Sequence, residues 1–385
     1  MAPENKFLNP EYYYPQQKRR QEDLYLRDGL TPEAVRLEIE RMKKHEAESN
    51  VPHEWALYVN SSDSLPNFGA IDAKGKKVLT IAGSGEFSQS LISNGAREVD
   101  IFDISLPACF FAELKLVAAS ELTYKEYEEM FGTIEDFPLS PDESAKHMVK
   151  IFNPDLYKGI KHKLSIQAQT YFDTIIQNGN ERFFNLNMRA YESSRGTDFE
   201  KHWFGFIRYR SARDEYIPIA QRVPFLRDSR EYERLQGNLR KSTWITRRKD
   251  ITGADMDYRI YDLIYLSNVG YHRVIDVAKD LVDKNAKRVI FTFQPGRYPF
   301  NWSDSYLDNQ GEVFKDSDNN LPPEKLDLIY SGHRLAQFKW DSWKKNKPEL
   351  LKPGTEIEVN KGLRLKILGF DPRAEFPYTA ELSKA

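Results

Sequence analysis

The chain has a single cysteine among its 385 residues, Cys109, so it has neither an intrachain disulfide nor a cluster of thiolate metal ligands. It lacks a membrane-spanning run, since even the apolar stretch ACFFAELKLVAA is broken by Glu113 and Lys115. The N-terminus, MAPENKFLNPEYYYPQQKRR, has no apolar core that could serve as a secretory signal. These absences predict a cytoplasmic protein without a bound metal, in which Cys109 is a buried structural thiol.

A strong excess of one charge is also missing, because the net charge is −2 with 30% charged residues. This charge balance gives no sign of a polyanionic binding partner, so nucleic acid is an unlikely partner. The stretch 182–234 is the one exception, since its arginines alternate with aromatic residues in a way that could bind RNA. Acidic residues dilute that charge, and a helical surface with salt bridges is the favoured interpretation.

One stretch has a pattern around which the rest of the chain can be organised. Residues 77–82 form an apolar, β-branched run that stops at Gly83-Ser84-Gly85, where side chains would obstruct a tight turn. Residues 87–94 then have helical spacing, and Gly95 suits a C-cap. A second apolar run follows at 99–104. The pattern predicts a strand, a glycine turn, a helix and a second strand.

Asp103, near the end of the second strand, suggests a nucleoside site. It lies 18 residues after Gly85, close to the roughly 20 expected of a carboxylate that accepts hydrogen bonds from ribose hydroxyls. The third glycine of the dinucleotide fingerprint is missing, and no Lys-Ser or Lys-Thr follows the turn as in a P-loop. This combination is typical of S-adenosylmethionine sites in class I methyltransferase-like folds; the alternative is an ordinary turn with a solvated aspartate. The predicted cofactor contacts here are Ala82, Gly83, Ser84, Gly85, Asp103 and Ile104.

The remaining pattern predicts the rest of a Rossmann-type sheet. A long helical pattern extends from Pro107 to Met130, and the next convincing strand is 244–248, more than a hundred residues later. Strands are expected at 261–266 and 288–293, with a helix at 274–282 between them. A final hairpin is expected from 355–359 and 363–368, because both segments alternate with period two around Asn360-Lys361-Gly362.

The expected fold is therefore a class I S-adenosylmethionine-dependent methyltransferase-like (Rossmann-type) α/β sheet with a large helical insertion between strands two and three. An N-terminal arm with helices is expected over residues 1–66, and the first half of the cofactor domain over 67–135. The insertion at 136–240 is expected to cover the cofactor and build the acceptor pocket. Residues 241–385 complete the sheet and add the hairpin.

Loops at the carboxyl ends of the later strands supply further candidates, because ligands of open α/β sheets bind there. Asp250, after the third strand, is expected to accept a hydrogen bond from the adenine amino group. An alcohol acceptor needs a base in hydrogen-bond reach, and Tyr271 and His272 are the nearest candidates. Arg208 or Arg210, in the insertion, is a candidate to hold an amino acid carboxylate through two hydrogen bonds.

The segments VLTIAGSGEFSQSLISNGAREVDIFDIS, FFAELKLVAASELTYKEYEEMFG and YDLIYLSNV resemble the S-adenosylmethionine:diacylglycerol 3-amino-3-carboxypropyltransferases, the first enzymes of betaine-lipid synthesis, and their relatives. The resemblance implies that Gly83, Ser84 and Gly85 line S-adenosylmethionine and that Asp103 holds its ribose. Ser267 and Asn268 would face the transferred group. It further implies transfer of the 3-amino-3-carboxypropyl group to a hydroxyl or amine of a lipid or small molecule, releasing 5′-methylthioadenosine, with peripheral membrane contact as a possible location.

Two other functions remain open at this point. A methyltransferase of the same fold would use the same cofactor site, because the sulfonium has three electrophilic carbons and the sequence does not choose between them. An RNA-binding protein would instead use the aromatic and arginine-rich stretch, and its affinity would fall steeply with salt.

Overall fold

The computed structural model describes residues 10–47, 65–131, 148–150, 153–177, 185–187, 223–253, 256–267, 274–293, 352–360, 362–370 and 378–385. Within these residues the fold is α/β, built on one eight-stranded sheet with helices on both faces.

The sheet has five adjacent parallel strands followed by three antiparallel ones, in the order β5-β2-β1-β6-β7-β10-β9-β8. A separate two-stranded antiparallel pair is formed by β3 and β4. The strands are β1 (Lys77–Ile81), β2 (Glu98–Asp103), β3 (Met148–Lys150), β4 (Asn185–Asn187), β5 (Thr243–Arg248), β6 (Leu263–Tyr265), β7 (Arg288–Phe293), β8 (Glu356–Asn360), β9 (Leu363–Phe370) and β10 (Tyr378–Lys384).

Helices lie on both sides of this sheet because residues alternate between its faces. Val78 and Ile290 belong to a core shared with α3 and α4, whereas Leu79 and Val289 belong to a second core under α9. The described helices are α1 (Pro10–Arg27), α2 (Pro32–Ala47), α3 (Glu86–Ser93), α4 (Leu106–Glu121), α5 (Tyr124–Phe131), α6 (Pro154–Ile160), α7 (Ile166–Gln177), α8 (Ser229–Leu239) and α9 (Val274–Asp283), with 3-10 turns at Leu65–Ala70, Lys161–Lys163, Pro224–Leu226 and Tyr258–Ile260.

The predicted strand, glycine turn, helix and strand are confirmed as β1, α3 and β2. Gly95 has φ 85°, in the left-handed region, as the C-cap prediction requires. The strands predicted at 244–248, 261–266 and 288–293 are confirmed as β5, a shorter β6 and β7. The coarse expectation of a mostly parallel α/β sheet is therefore correct.

The prediction of one continuous helix from Pro107 to Met130 is wrong. The chain leaves the helix at Leu122, and α5 begins after Thr123. Thr123 and Glu126 form a capping box, in which Glu126 N donates to Thr123 Oγ1 and Thr123 N donates to Glu126 Oε2. Leu122 and Tyr127, which are buried on either side of this break, are five positions apart, so the three-and-four spacing is interrupted here.

The C-terminal hairpin is confirmed as β8 and β9, but the sheet contains a further strand that was not predicted. This strand, β10, lies between β7 and β9 and is antiparallel to both. The hairpin therefore contacts the parallel strands only through β10.

Helix α1 covers the outer edge of the sheet, where β5 would otherwise expose unpaired backbone groups. Gln17 donates a side-chain hydrogen bond to Trp244 O, and Gln21 hydrogen-bonds to the backbone of Thr246. Arg247 binds Asp28 through both its Nε and Nη2 atoms. The N-terminal arm is thus ordered as a helix from residue 10 and belongs to the body of the fold.

The described part of the long interval between β2 and β5 is mainly helical, as predicted, apart from the pair β3 and β4. Tyr157 of α6, Phe172 of α7 and Tyr232 of α8 lie in the same hydrophobic core as Tyr25 and Val78. These helices pack on α1 to α5, so the part of the interval that the structure describes shares its core with the sheet. Its role in covering a cofactor stays a prediction.

Candidate functional site

The candidate site lies at the carboxyl ends of β1 and its neighbours. The chain passes from β1 to β2 and β5 on one side, and later to β6 and β7 on the other. β1 is therefore the strand at which the order reverses, and the crevice outside such a reversal is where ligands of open α/β sheets bind. The loops that follow β1, β2, β5 and β6 all start at this edge.

Both glycines of the turn after β1 have left-handed backbone conformations, with φ 49° at Gly83 and 84° at Gly85. A Cβ on Gly85 would lie 3.1 Å from the Cα of Ala112, so the close approach of α4 requires this glycine. A Cβ on Gly83 would lie 2.6 Å from the Phe87 ring. The glycines are therefore explained by packing as well as by any ligand.

Asp103 connects this turn to the end of β2 through hydrogen bonds. Its Oδ2 accepts a hydrogen bond from Gly83 N at 3.1 Å, and its Oδ1 accepts one from Ser105 N at 2.9 Å. Desolvation raises the pKa of Asp103 to about 6, although the backbone donors of Ser105 and Gly83 oppose that shift. The residue as a whole is half-buried. Each oxygen retains acceptor capacity for a ligand hydroxyl.

A buried ion pair lies directly beneath the turn. Glu86, the first residue of α3, contacts Lys115 of α4 at 3.1 Å, and each side chain is 2% exposed. Ser84 Oγ donates to the other Glu86 oxygen at 3.1 Å, so the Ser84 side chain points into the protein. Burial lowers the pKa of Lys115, and the Glu86 carboxylate opposes this shift. The amino end of α3 thus has a buried ion pair beside it.

Two further predicted cofactor residues lie beside Asp103. The Ile104 side chain is 46% exposed, which leaves an apolar surface next to the carboxylate. Lys249 N donates to Asp103 O at 2.8 Å and so brings the end of β5 alongside. Asp250 is exposed there, and its Oδ1 accepts hydrogen bonds from the backbone N and the hydroxyl of Thr252. Asp250 therefore caps its own turn, and contact with adenine stays a prediction.

Ser267 lies at the end of β6, on the other side of β1. Its φ of 55° is in the left-handed region, which costs a residue with a side chain about 1–3 kcal/mol. The residue is buried, and its carbonyl accepts a hydrogen bond from Thr292 N at 2.9 Å. Strain of this kind concentrates at functional sites, so it agrees with the placement of Ser267 in the crevice.

Of the predicted cofactor residues on this side, Ala82, Gly83, Ser84 and Gly85 are buried, Asp103 is half-buried and Ile104 is exposed. The other predicted site residues lie outside the described residues, and their predictions stand as made: Asn268, the base candidates Tyr271 and His272, and the carboxylate-binding candidates Arg208 and Arg210.

The sequence reasoning missed the two buried networks of α4. Glu113, like Lys115, is a charge that interrupts an apolar run, and both are buried and paired. Glu113 accepts hydrogen bonds from Ser165 N, Ser165 Oγ and Tyr25 OH. Desolvation raises the pKa of Glu113 to about 7. A charge inside an apolar helical run was the available signal, because such a residue needs a buried partner.

The arginine-rich stretch can be judged only where it is described, from residue 223 onward. There Arg227 and Arg234 both form salt bridges with Glu231 on α8. This agrees with a salt-bridged helical surface. Asp228 caps the same helix through a hydrogen bond from Glu231 N.

No protein-family model, curated protein or solved structure matches the chain. In the described ranges there is no group of three or more His, Cys, Asp or Glu side chains that could hold a metal ion. Those ranges also contain no helix with the length and apolar character needed to cross a membrane.

Proposed function

We propose that this protein is an S-adenosylmethionine-dependent transferase that moves the 3-amino-3-carboxypropyl group to a hydroxyl or amine acceptor, such as a diacylglycerol-like lipid. The observation that carries the proposal is the position of Asp103. Its carboxylate ends β2, accepts a hydrogen bond from the glycine turn after β1, and has exposed Ile104 beside it. A ribose diol and an adenine ring need this pairing of a carboxylate with an apolar surface.

The sheet order supports a methyltransferase-like class within the α/β folds. Five parallel strands are followed by β10, which runs antiparallel and lies between β7 and a strand that precedes it in the chain. A reversed last strand inserted beside the fifth parallel strand is typical of class I S-adenosylmethionine-dependent methyltransferases. A dinucleotide-binding Rossmann sheet would continue with a parallel sixth strand instead.

The charge at the amino end of α3 supports a cofactor without phosphates. In dinucleotide sites this helix end binds the pyrophosphate through its free N–H groups. Here Glu86 lies in the first turn of α3 and is paired with Lys115. This buried pair adds no net positive charge for a phosphate at the helix end, and S-adenosylmethionine, which has no phosphate, needs none.

When bound, S-adenosylmethionine supplies the electrophilic carbon: the acceptor oxygen or nitrogen forms the new bond to it as the C–S bond breaks, and sulfur keeps the electron pair as 5′-methylthioadenosine. The acceptor proton passes to a base, for which Tyr271 and His272 are the sequence candidates. Asp103 contributes binding and orientation. Its ionised form accepts hydrogen bonds, so binding should need the deprotonated carboxylate.

The test is to incubate the purified protein with S-adenosylmethionine and 1,2-dioleoylglycerol in phosphatidylcholine vesicles, or with a lipid and metabolite extract. Mass spectrometry then identifies the nucleoside that is released. We expect 5′-methylthioadenosine, released only when acceptor is added. The Asp103→Ala variant should lose cofactor binding, whereas Asp280→Ala, on the exposed surface of α9, should retain it.

Other outcomes would contradict parts of the proposed function. Release of S-adenosylhomocysteine would make the protein a methyltransferase of the same fold. Normal S-adenosylmethionine affinity in Asp103→Ala would contradict the ribose role of that residue. Absence of S-adenosylmethionine binding in the wild type, combined with salt-sensitive RNA binding, would overturn the enzyme proposal.

A further inference from the structure

Three buried polar side chains form a continuous chain of contacts beneath the glycine turn after β1. The side chains of Lys115, in the middle of α4, and Glu86, the first residue of α3, are each 2% exposed, and their charged atoms are 3.1 Å apart. The other Glu86 oxygen accepts a hydrogen bond from Ser84 Oγ at 3.1 Å, and Ser84 is also buried. The contacts therefore run from the centre of α4 to the middle residue of the turn.

Stability alone does not explain an ion pair at this place. Lys115 lies between the fully buried residues Leu114 and Leu116, and its Nζ is 5.0 Å from the centre of the Phe111 ring. Taking two charges out of water is costly, and replacing a buried ion pair with apolar side chains of similar size is often neutral or stabilising. The presence of Glu86 and Lys115 therefore points to a role beyond packing.

The glycine turn above the pair is a segment that needs a restraint. Both of its glycines have left-handed backbones, and a residue without a Cβ has the widest choice of conformations. Ser84 is the only residue between them, so its side chain is the one through which Gly83-Ser84-Gly85 can be held. Lys115 also supports the turn directly, since a Cβ on Gly85 would lie 3.2 Å from Lys115 Cδ. The stem and the charge of Lys115 thus restrain the same three residues.

The turn also positions the carboxylate that is proposed to bind the ribose. Gly85 N donates to Ala82 O at 2.7 Å, which closes the turn, and Gly83 N donates to Asp103 Oδ2 at 3.1 Å. A displacement of Ser84 would therefore move the donor that holds Asp103. A site whose groups are already in place loses less conformational freedom on binding, and its affinity is higher for that reason.

We infer that Ser84, Glu86 and Lys115 are positioning residues of the cofactor site: the ion pair fixes the Ser84 hydroxyl, and Ser84 fixes the backbone of the turn beside Asp103. The inference rests on the proposed function, because the cofactor whose binding it concerns is S-adenosylmethionine. The three side chains act through the turn, since the Ser84 hydroxyl is directed to Glu86 and is shielded from solvent. The network thus contributes to cofactor affinity and not to the stability of the fold.

The experiment uses two variants that both remove the ion pair. In the triple variant Ser84→Ala, Glu86→Met, Lys115→Met the whole network becomes apolar, so none of its polar groups is left without a partner. In the double variant Glu86→Gln, Lys115→Met the glutamine keeps an acceptor for Ser84 Oγ. Ser120→Ala is the control, because Ser120 is also a buried serine and its hydroxyl donates to Val117 O within α4.

Three quantities are measured: the urea midpoint of unfolding, the Kd for S-adenosylmethionine by calorimetric titration, and the exchange rate of the Gly85 amide hydrogen without cofactor. We expect the triple variant to unfold at the same urea concentration as the wild type or at a higher one. Its Kd should rise about tenfold, the value of one hydrogen bond, and its Gly85 amide should exchange faster. The double variant should bind more tightly than the triple variant, and Ser120→Ala should keep the Kd of the wild type.

A lower urea midpoint for the triple variant would show that the network serves stability and would overturn the inference. An unchanged Kd or an unchanged Gly85 exchange rate in that variant would overturn it as well, and so would equal Kd values for the double and triple variants. If the wild type itself binds no S-adenosylmethionine, the proposed function fails. The Gly85 exchange rates then still decide whether the network holds the turn: faster exchange in the triple variant supports this role, and equal exchange overturns it.

Discussion

Gln21 and Thr246 are joined by two hydrogen bonds that run in opposite directions. Gln21 Nε2 donates to Thr246 O at 2.7 Å, and Thr246 N donates to Gln21 Oε1 at 2.9 Å. The side-chain amide therefore pairs with β5 as the backbone of another strand would. Gln17 lies four residues before Gln21 on the helix, a distance of about 6 Å, and Trp244 lies two residues before Thr246 on the strand, about 6.6 Å. The spacings match, so the side chain of Gln17 reaches the Trp244 carbonyl.

This pairing gives the first prediction. Gln21→Ala should lower the free energy of unfolding by about 2–4 kcal/mol, because it leaves the buried backbone N–H and C=O of Thr246 without partners. Gln16→Ala is the control, since Gln16 is exposed on the same helix and should change stability by less than about 0.5 kcal/mol. Urea unfolding measures the free energy of unfolding of both variants. Equal losses in the two variants would show that the Gln21 amide does not stabilise the edge of β5.

The buried pair beneath the glycine turn gives the second prediction. Lys115→Met should destabilise the fold by about 3–5 kcal/mol, because Glu86 is left buried without its counter-charge. The double variant Glu86→Gln, Lys115→Met should recover much of that loss, since neither charge remains. A double-mutant cycle in urea measures the coupling between them. Additive effects of the two single changes would argue against the pair.

The third prediction concerns the pH dependence of stability. The pKa of Glu113 is raised to about 7 in the folded protein by desolvation. The folded state therefore binds more protons than the unfolded state between about pH 4.5 and pH 7. The stabilising contribution is fully present below that range and is lost as pH rises through it. The loss from this one residue amounts to about 3 kcal/mol.

Glu113→Gln should remove this dependence, because glutamine keeps the shape and an acceptor but does not ionise. Urea unfolding from pH 4.5 to pH 8 compares the two proteins. The difference between their free energies of unfolding should change in the variant's favour from about pH 4.5 to pH 7 and level off above that. Glu233→Gln, at an exposed position of α8, serves as the control for a change of net charge. Parallel pH profiles for wild type and Glu113→Gln would contradict the prediction.

The fourth prediction concerns cofactor affinity. Desolvation raises the pKa of Asp103 to about 6, and the ionised carboxylate is the form that accepts ribose hydrogen bonds. The affinity for S-adenosylmethionine should therefore be constant above pH 7 and fall below about pH 6, approaching tenfold per pH unit. Calorimetric titration from pH 5 to pH 8 measures the Kd. In Asp103→Asn the affinity should be low at every pH, with no step near 6.

The sequence was sufficient for the local part of the site. The run before Gly83, the helical spacing after Gly85 and the run that ends at Asp103 are neighbours in the chain, so their pattern alone predicts β1, α3 and β2. The break between α4 and α5 also had a local signal, the capping box of Thr123 and Glu126. The apolar spacing is also interrupted there, since five positions separate Leu122 from Tyr127.

Features that depend on distant pairing could not be predicted in this way. β10, YTAELSK, alternates apolar Tyr378, Ala380 and Leu382 with polar residues, so its strand pattern was present in the sequence, but its place between β7 and β9 depends on distant pairing. The partner of Lys115 is Glu86, and the partners of Glu113 include Ser165 and Tyr25. A buried charge predicts that a partner exists, but only the fold identifies it.

The covering of β5 by α1 has a consequence for the order of folding. The glutamine of α1 and its partner Thr246 are 225 residues apart in sequence. During synthesis α1 leaves the ribosome long before the strand whose edge it covers, so this contact has a high contact order and should form late. Interactions absent from the folding transition state control the unfolding rate. The N-terminal helix would then dock last, and its contacts would set the unfolding rate and therefore the lifetime of the folded protein.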